Sequence, residues 1–334
     1  MTDRKRALIS GITGQVGSWL ADLLISKGYE VFGLVRPGST PRTENIHHLI
    51  DPIMQITMLH GDLCDSRSLI HALETADPHE VYHLGAQSHV KVSFDMPEYT
   101  SDVTGTGTMR ILEAIRTVGL SQCRFYNAGS SELFGKVQET PQRETTPFYP
   151  RSPYAAAKAF SFYVARNYRE AYGMFALSGI LFNTESPRRG QHFVTRKVTL
   201  SAARIKAGVQ QQLRLGNLEA RRDWGWAPEY ATGIWMMMQA DSPDDYVLAT
   251  GEAHSVRELC ERAFARVGLD WKKYVVVDDR FKRPTEVDLL LGDADKAHRM
   301  LGWRAETKFD RIVDMMVDAD IDRVARDQRA RDHR

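Results

Sequence analysis

Two short stretches of the 334-residue chain carry side chains suited to acid–base chemistry: Ser130-Ser131-Glu132, and Tyr154-Ala155-Ala156-Ala157-Lys158. A tyrosine and a lysine four apart share one face of a helix, and an ammonium beside a phenol lowers the phenol's pKa. Tyr154 is therefore a candidate acid/base with Lys158 as its activator. Ser130, at the end of a preceding strand, is placed to hydrogen-bond the oxygen that Tyr154 protonates or deprotonates, and Glu132 supplies a second base. Tyrosine and lysine also fall at this spacing by chance, so the assignment depends on the elements around them.

Those elements begin at the N-terminus. Ala7-Leu8-Ile9-Ser10 reads as a strand, Gly11-Ile12-Thr13-Gly14-Gln15-Val16-Gly17 as a tight glycine turn, and Leu20, Leu23, Leu24 and Ile25 as one face of a helix. Such a turn lets the backbone approach a pyrophosphate, which the free N–H groups and dipole of the helix N-terminus stabilise. A second strand, Glu30 to Val35, ends at Arg36, where a dinucleotide fold places its ribose-reading residue. An acidic residue there suits the 2′-hydroxyl of NAD, whereas an arginine suits the 2′-phosphate of NADP; a solvated loop arginine reads the same way.

Strand-like runs at 55–59, 80–84, 123–128 and 175–182 alternate with helical runs at 66–74, 103–117 and 154–172. This alternation predicts an α/β fold built on a doubly wound parallel sheet. Ligands of such sheets bind at the carboxyl ends of the strands. Here those ends carry Asp62-Leu63, then Leu84-Gly85-Ala86-Gln87-Ser88, then Ser130-Ser131-Glu132.

Beyond Asn183 the pattern changes. A helix at 194–207, the run Leu213 to Asn217, Arg221-Arg222-Asp223-Trp224 and Arg283-Pro284-Thr285-Glu286 describe a smaller lobe lined with arginines. Arginines beside a nucleotide-binding core can clamp a diphosphate, although surface salt bridges use the same residues. A helix at 230–240 and a strand at 246–250 return to the sheet. The expected division is 1–182 with 225–252 for the dinucleotide-binding domain, and 183–224 with 253–325 for the interleaved lobe.

Composition sets outer bounds. Hydrophobic residues make up 43% and charged residues 26%, as in ordinary globular enzymes, and a net charge of +1 argues against nucleic acid or an anionic membrane as partner. Three widely spaced cysteines, Cys64, Cys123 and Cys260, fit neither a disulfide framework nor a zinc site. With no apolar run long enough for a signal peptide or a membrane span, the expectation is a cytoplasmic protein without a metal.

Longer strings narrow the reading. Leu84 to Ser88, Glu144-Thr145-Thr146-Pro147-Phe148-Tyr149-Pro150-Arg151-Ser152-Pro153-Tyr154, Val194 to Lys197, Arg222 to Gly225 and Arg283 to Val287 together span most of the chain. With the glycine turn and Tyr154-x-x-x-Lys158, they resemble the GDP-mannose 4,6-dehydratases, a family of extended short-chain dehydrogenase/reductases with a Rossmann domain. The resemblance implies an internal redox cycle on NADP, in which Tyr154 takes the sugar 4-hydroxyl proton and Glu132 the C5 proton. It implies an NADP site at Gly11, Thr13, Gly14, Gln15, Val16, Gly17, Arg36, Asp62, Leu63, Leu84, Gly85, Ala86, Gln87, Ser88, Tyr99, Lys158, Thr184 and Arg189. A GDP-sugar would be held by Ser88, Asn183, Lys197, Arg222, Arg283 and Glu286.

Some positions depart from the family. Val16 stands where relatives have Asp, Thr184 where they have His, Asn127 where they have Gln, and Trp226 where they have His or Phe. The loop Pro37-Gly38-Ser39-Thr40 differs from one that resembles a tetramer contact in relatives, so the expected assembly is a homodimer or a homotetramer, formed through the helices near 103–117 and 154–172. Two alternatives share the fold: a dehydratase for a GDP-heptose, or a reductase of a GDP-4-keto-6-deoxy sugar. A third, a cofactor-binding protein without catalysis, sits poorly with the presence of Ser130, Glu132, Tyr154 and Lys158 together.

Overall fold

The structure, a computed structural model, describes residues 4–38, 43–50, 55–281 and 285–332. In chain order the first half contains β1 (Arg6–Ser10), α1 (Gln15–Ser26), β2 (Glu30–Val35), α2 (His47–Ile50), β3 (Ile56–His60), α3 (Ser66–Ala76), β4 (Glu80–His83), α4 (Val90–Asp95), α5 (Pro97–Ser101), α6 (Gly107–Val118) and β5 (Arg124–Ala128). Then come α7 (Pro153–Tyr172), β6 (Ala176–Leu181), β7 (Asn183–Glu185), α8 (Val194–Lys206), β8 (Leu213–Leu215), β9 (Arg221–Arg222), β10 (Trp224–Trp226) and α9 (Ala227–Gln239). The chain continues with β11 (Tyr246–Leu248), β12 (His254–Ser255), α10 (Val256–Arg266), β13 (Val275–Val277), α11 (Asp295–Leu301) and α12 (Phe309–Asp332).

Seven of these strands form one sheet in the order β11-β6-β5-β4-β1-β2-β3, every pair parallel. The order reverses between β1 and β4, which opens a crevice at their carboxyl ends. Strands covered on both faces read as continuous apolar runs. On one face Ala7 and Ile9 of β1 pack with Leu20, Ala21 and Leu24 of α1 and with Tyr230, Ile234 and Met237 of α9. On the other, Leu8, Val81 and Phe125 pack with Leu69 and Leu73 of α3, Ile111 and Leu112 of α6, and Ala165 of α7.

Local chemistry sets where the helices begin and end. The Ser152 hydroxyl accepts from the Ala155 N–H at 3.1 Å and Pro153 occupies the first helical position, so α7 starts one residue before Tyr154. Gly173, in the left-handed conformation, ends it. The expected helix at 103–117 has a break: residues 102–106 form a π turn before α6 begins. That turn presents the Thr104 hydroxyl to the loop after β4, where it accepts from the Gln87 N–H at 3.2 Å.

A separate core joins Val198, Ala202 and Ile205 of α8 to Leu213 and Leu215, to Leu259 and Phe264 of α10, and to Val313 and Val317 of α12. Strand β11 pairs with β6 at the sheet edge and α9 packs on the sheet side, as the sequence pattern predicts. The region around Ala297 and Trp303, read from sequence as part of the lobe, instead packs into the sheet-side core; the Trp303 indole N–H donates to the Glu229 carbonyl at 2.8 Å. Among the described residues, no helix is long and apolar enough to cross a membrane.

Candidate active site

Strand β5 runs out at Ala128, and Gly129 leads to Ser130, which caps a short 3-10 turn over Ser131–Leu133 by accepting from the Glu132 N–H at 3.3 Å. The turn sets Ser130 and Glu132 at the same carboxyl edge that receives Tyr154 from the first turn of α7. All three line one cleft of about 650 Å³ between the sheet edge and the lobe.

Burial pushes the Tyr154 phenol up to about 12; the Ser130 hydrogen bond and the Arg189 charge oppose the shift, and the Glu132 carboxylate adds to it. Lys158 is buried one turn below, and its ammonium donates to the Ala128 carbonyl at 2.6 Å. Burial lowers that ammonium to about 8. Arg189, supplied by the loop after β7, adds a charge that opposes the rise of the Tyr154 phenol, while the Lys158 ammonium donates to the end of β5.

Arg189 has its own support. Its Nε lies 3.4 Å from a carboxylate oxygen of buried Glu185, and its guanidinium stacks 3.8 Å from the centre of the Phe193 ring. Glu185 in turn accepts from the Thr195 hydroxyl, and burial raises its pKa. Neither Glu185 nor Phe193 was singled out from sequence; position directly after Asn183 and Thr184 in β7 is the signal that marks Glu185.

The cleft also gathers Ser88, Asn183, Thr184, Lys197, Arg222 and Glu286, so residues up to about 200 apart in sequence share one space. Arg222 is 3.6 Å from Glu286 and donates to the Arg221 carbonyl at 2.9 Å. Arg283 lies outside the described residues.

The glycine turn lies at the carboxyl end of β1, next to the cleft-lining Thr184. Gly11 has φ +76°, and a Cβ there would stand 2.8 Å from the Gly85 backbone nitrogen; a Cβ on Gly17 would stand 2.3 Å from the Gly11 carbonyl oxygen. Both positions thus require glycine. The N-terminus of α1 has no side-chain cap, which leaves its first N–H groups for a ligand anion. These features fit a dinucleotide, held by the turn from Gly11 through Thr13, Gly14 and Val16 to Gly17.

Two residues expected at the cofactor are also hydrogen-bonded to each other. The Gln15 amide donates to the Thr184 carbonyl at 2.8 Å and to its hydroxyl at 3.2 Å, while the Ser186 hydroxyl donates to Gln15 at 2.8 Å. Their side chains tie the glycine turn to β7.

At the outer edge, the exposed Arg36 guanidinium donates to the Tyr99 phenol oxygen, which joins two residues assigned to the cofactor. Asp62 accepts from the Cys64 N–H at 2.9 Å, and Leu63 packs beside Gly107. In the loop Leu84-Gly85-Ala86-Gln87, the Gly85 N–H donates to the Ser10 hydroxyl at 3.1 Å and the Gln87 side chain accepts from the His89 N–H at 2.7 Å. His83, fully buried, is 2.7 Å from Ser10 and 3.1 Å from the Thr108 hydroxyl; burial and then the Lys158 charge lower its pKa to about 3, which keeps it neutral. Because Thr108 donates to the Thr104 carbonyl, it accepts from His83 Nε2–H, and His83 Nδ1 accepts from Ser10.

Comparison with known proteins agrees with this geometry. A family model described as GDP-mannose 4,6 dehydratase matches residues 8–316. The chain is 52% identical over 333 residues to GDP-mannose 4,6 dehydratase 1 of Arabidopsis thaliana, covering 97% of this chain and 92% of the relative. It is 51% identical over 342 residues to GDP-mannose 4,6 dehydratase of Cricetulus griseus, covering 96% and 92%. A Thermus thermophilus UDP-glucose 4-epimerase solved with NAD superposes with a TM-score of 0.82 at 26% identity, covering 94% of this chain and 98% of that one. With a parallel sheet, a glycine turn fit for a nicotinamide dinucleotide and the Ser130, Glu132 and Tyr154 cleft, the chain belongs to the GDP-mannose 4,6-dehydratase family.

Proposed function

We propose that the protein converts GDP-D-mannose to GDP-4-keto-6-deoxy-D-mannose and water, with NADP as its resident redox cofactor. The observation that carries this reading is the convergence of Ser130, Glu132 and Tyr154 in the cleft that also holds Lys197 and Arg222. One group of residues meets a sugar's C4 to C6 edge, and the other meets a diphosphate. When bound, NADP would supply the hydride acceptor for C4 and the hydride donor for C6. Arg36 at the end of β2, with Tyr99 of α5 hydrogen-bonded to it, favours its 2′-phosphate.

The protein's own groups move the protons. Tyr154 takes the proton of the 4-hydroxyl as C4 is oxidised, while Ser130 holds the same oxygen. The resulting ketone acidifies C5–H, and Glu132 removes that proton. Glu132 then protonates the departing 6-hydroxyl, which leaves as water, and as hydride returns to C6 one proton is delivered to C5, balancing the one Tyr154 took from the 4-hydroxyl; one carboxylate thus serves both directions of transfer. Arg189 favours the phenolate of Tyr154 through its charge, and Lys158 holds the nicotinamide ribose. Lys197, Arg222, Arg283 and Glu286 bind the GDP part, with Asn183 beside them.

Three free cysteines, one exposed and two buried, suit a reducing cytoplasm. Phe160 and Tyr163 are exposed on α7, which with α6 forms the face proposed to meet a second copy in a homodimer or homotetramer.

The test is to incubate the purified protein with GDP-mannose and a trace of NADP⁺ and follow the sugar by proton NMR. A C6 methyl doublet without added reductant is the expected result. Unchanged GDP-mannose, together with NADPH consumption on a GDP-4-keto-6-deoxy sugar, overturns the dehydratase reading in favour of a reductase.

A further inference from the structure

One charge arrangement at the cleft is not used by the acid–base steps. Lys91 stands on α4, just past the loop that carries Ser88, on the sheet side; Lys197 stands on α8, in the lobe core's helix layer. Both line the cleft, and both ammoniums converge on the exposed ring of Phe281. Lys197 Nζ lies 3.8 Å from the ring centre and Lys91 Nζ 5.6 Å.

Their hydrogen bonds go to neutral oxygens. Lys91 donates to the Arg280 carbonyl at 2.9 Å, and Lys197 to the Arg214 carbonyl at 2.6 Å. Among the described residues, neither ammonium has a carboxylate within ion-pairing distance. Two like charges brought toward one ring from separate cores repel each other, and aromatic faces and carbonyls compensate them weakly. A polyanion placed between them removes the repulsion and exchanges both carbonyl contacts for charge-assisted hydrogen bonds, which are shorter and stronger. The Lys197 ammonium is lowered by burial, raised by Asp278 and lowered again by Lys91, which agrees with two cations sharing one region.

We infer that Lys91 and Lys197 form a two-sided clamp on the nucleotide diphosphate, with Lys91 as a substrate-binding residue contributed by the sheet side. The inference rests on the GDP-sugar reading above. Phe281 is the surface over which the two ammoniums wait, and a diphosphate held by both ties the lobe to the sheet domain. Because Ser88 and Lys91 lie on one short segment, the same loop that approaches the sugar also approaches the diphosphate.

The test is the affinity of GDP, measured by calorimetry at several salt concentrations, for the wild type, Lys91→Met and Lys91→Arg, with NADP⁺ affinity as the check on folding. Lys91 is exposed, so Lys91→Met removes a charge without opening a cavity. The expected result is GDP binding weakened roughly tenfold in Lys91→Met, with a shallower salt dependence, near-wild-type binding in Lys91→Arg, and NADP⁺ affinity unchanged throughout. Wild-type GDP affinity and salt dependence in Lys91→Met overturn the clamp while the GDP-sugar reading stands. Failure of the wild type itself to bind GDP overturns that reading, and the clamp with it.

Discussion

Lys158 offers a direct separation of function from stability. Its ammonium is buried and sits at about 8 rather than 10.5, so at pH 7 the folded state holds a charge that burial disfavours. That lowering corresponds to about 3 kcal/mol of destabilisation by the charged form. The Ala128 carbonyl contact at 2.6 Å is the favourable part of the same site, and removing its donor leaves a buried acceptor unpaired at about 1–3 kcal/mol. Lys158→Met is therefore expected to leave stability at pH 7 unchanged or raise it by up to about 2 kcal/mol.

The two proteins should differ in how stability depends on pH. A lowered pKa in the folded state means the penalty is full below about 8 and disappears as pH rises toward the unfolded value near 10.5. Wild type thus gains stability relative to Lys158→Met across that window. Urea midpoints at pH 7 and pH 9.5 measure the difference, and the methyl signal of the product measures turnover, expected to fall by at least about a hundredfold. A variant that loses more than about 2 kcal/mol at pH 7, or whose pH dependence matches wild type, refutes the reading of a strained buried ammonium. One that keeps its turnover refutes the role of Lys158 in the reaction.

Three further outcomes are expected. Glu132→Gln permits oxidation at C4 but blocks loss of water, so C5 exchange with solvent deuterium and the C6 methyl signal both disappear while GDP still binds. Gly17→Ala drives a methyl to within 2.3 Å of the Gly11 carbonyl, and NADP⁺ affinity by calorimetry is expected to be lost before the fold is. Arg196→Met removes the partner 2.6 Å from Asp320 in the lobe, where both side chains are fully buried, and leaves a buried carboxylate beside the Thr199 hydroxyl. Denaturant unfolding is expected to show a loss of about 3–5 kcal/mol, and an unchanged midpoint contradicts it.

Much of this protein is determined locally. The run Ala7 to Gly17 can only be strand, turn and helix, because apolar periodicity and a turn that demands glycine are properties of neighbouring residues. The same holds for the start of α7 at Ser152-Pro153 and for Tyr154 and Lys158 on one helix face. Long specific strings carry the family, and the family's residue types point to the cleft from sequence alone.

Tertiary structure decided which groups act on one another through space. Spacing puts Lys158 and Tyr154 on one helix face, yet helix proximity says nothing of where a flexible side chain ends; only the packed structure sets the Lys158 ammonium on the Ala128 carbonyl and brings the charge of Arg189 from a distant loop toward Tyr154. Gln15 and Thr184 read separately as cofactor contacts, and only the approach of β7 to the glycine turn joins them. Lys91 carried no signal at all until Lys197 and Phe281, more than a hundred residues on, arrived beside it. Periodicity is short-ranged, whereas pKa values, ion pairs and ligand clamps depend on distances that the chain sets only when its two cores have packed.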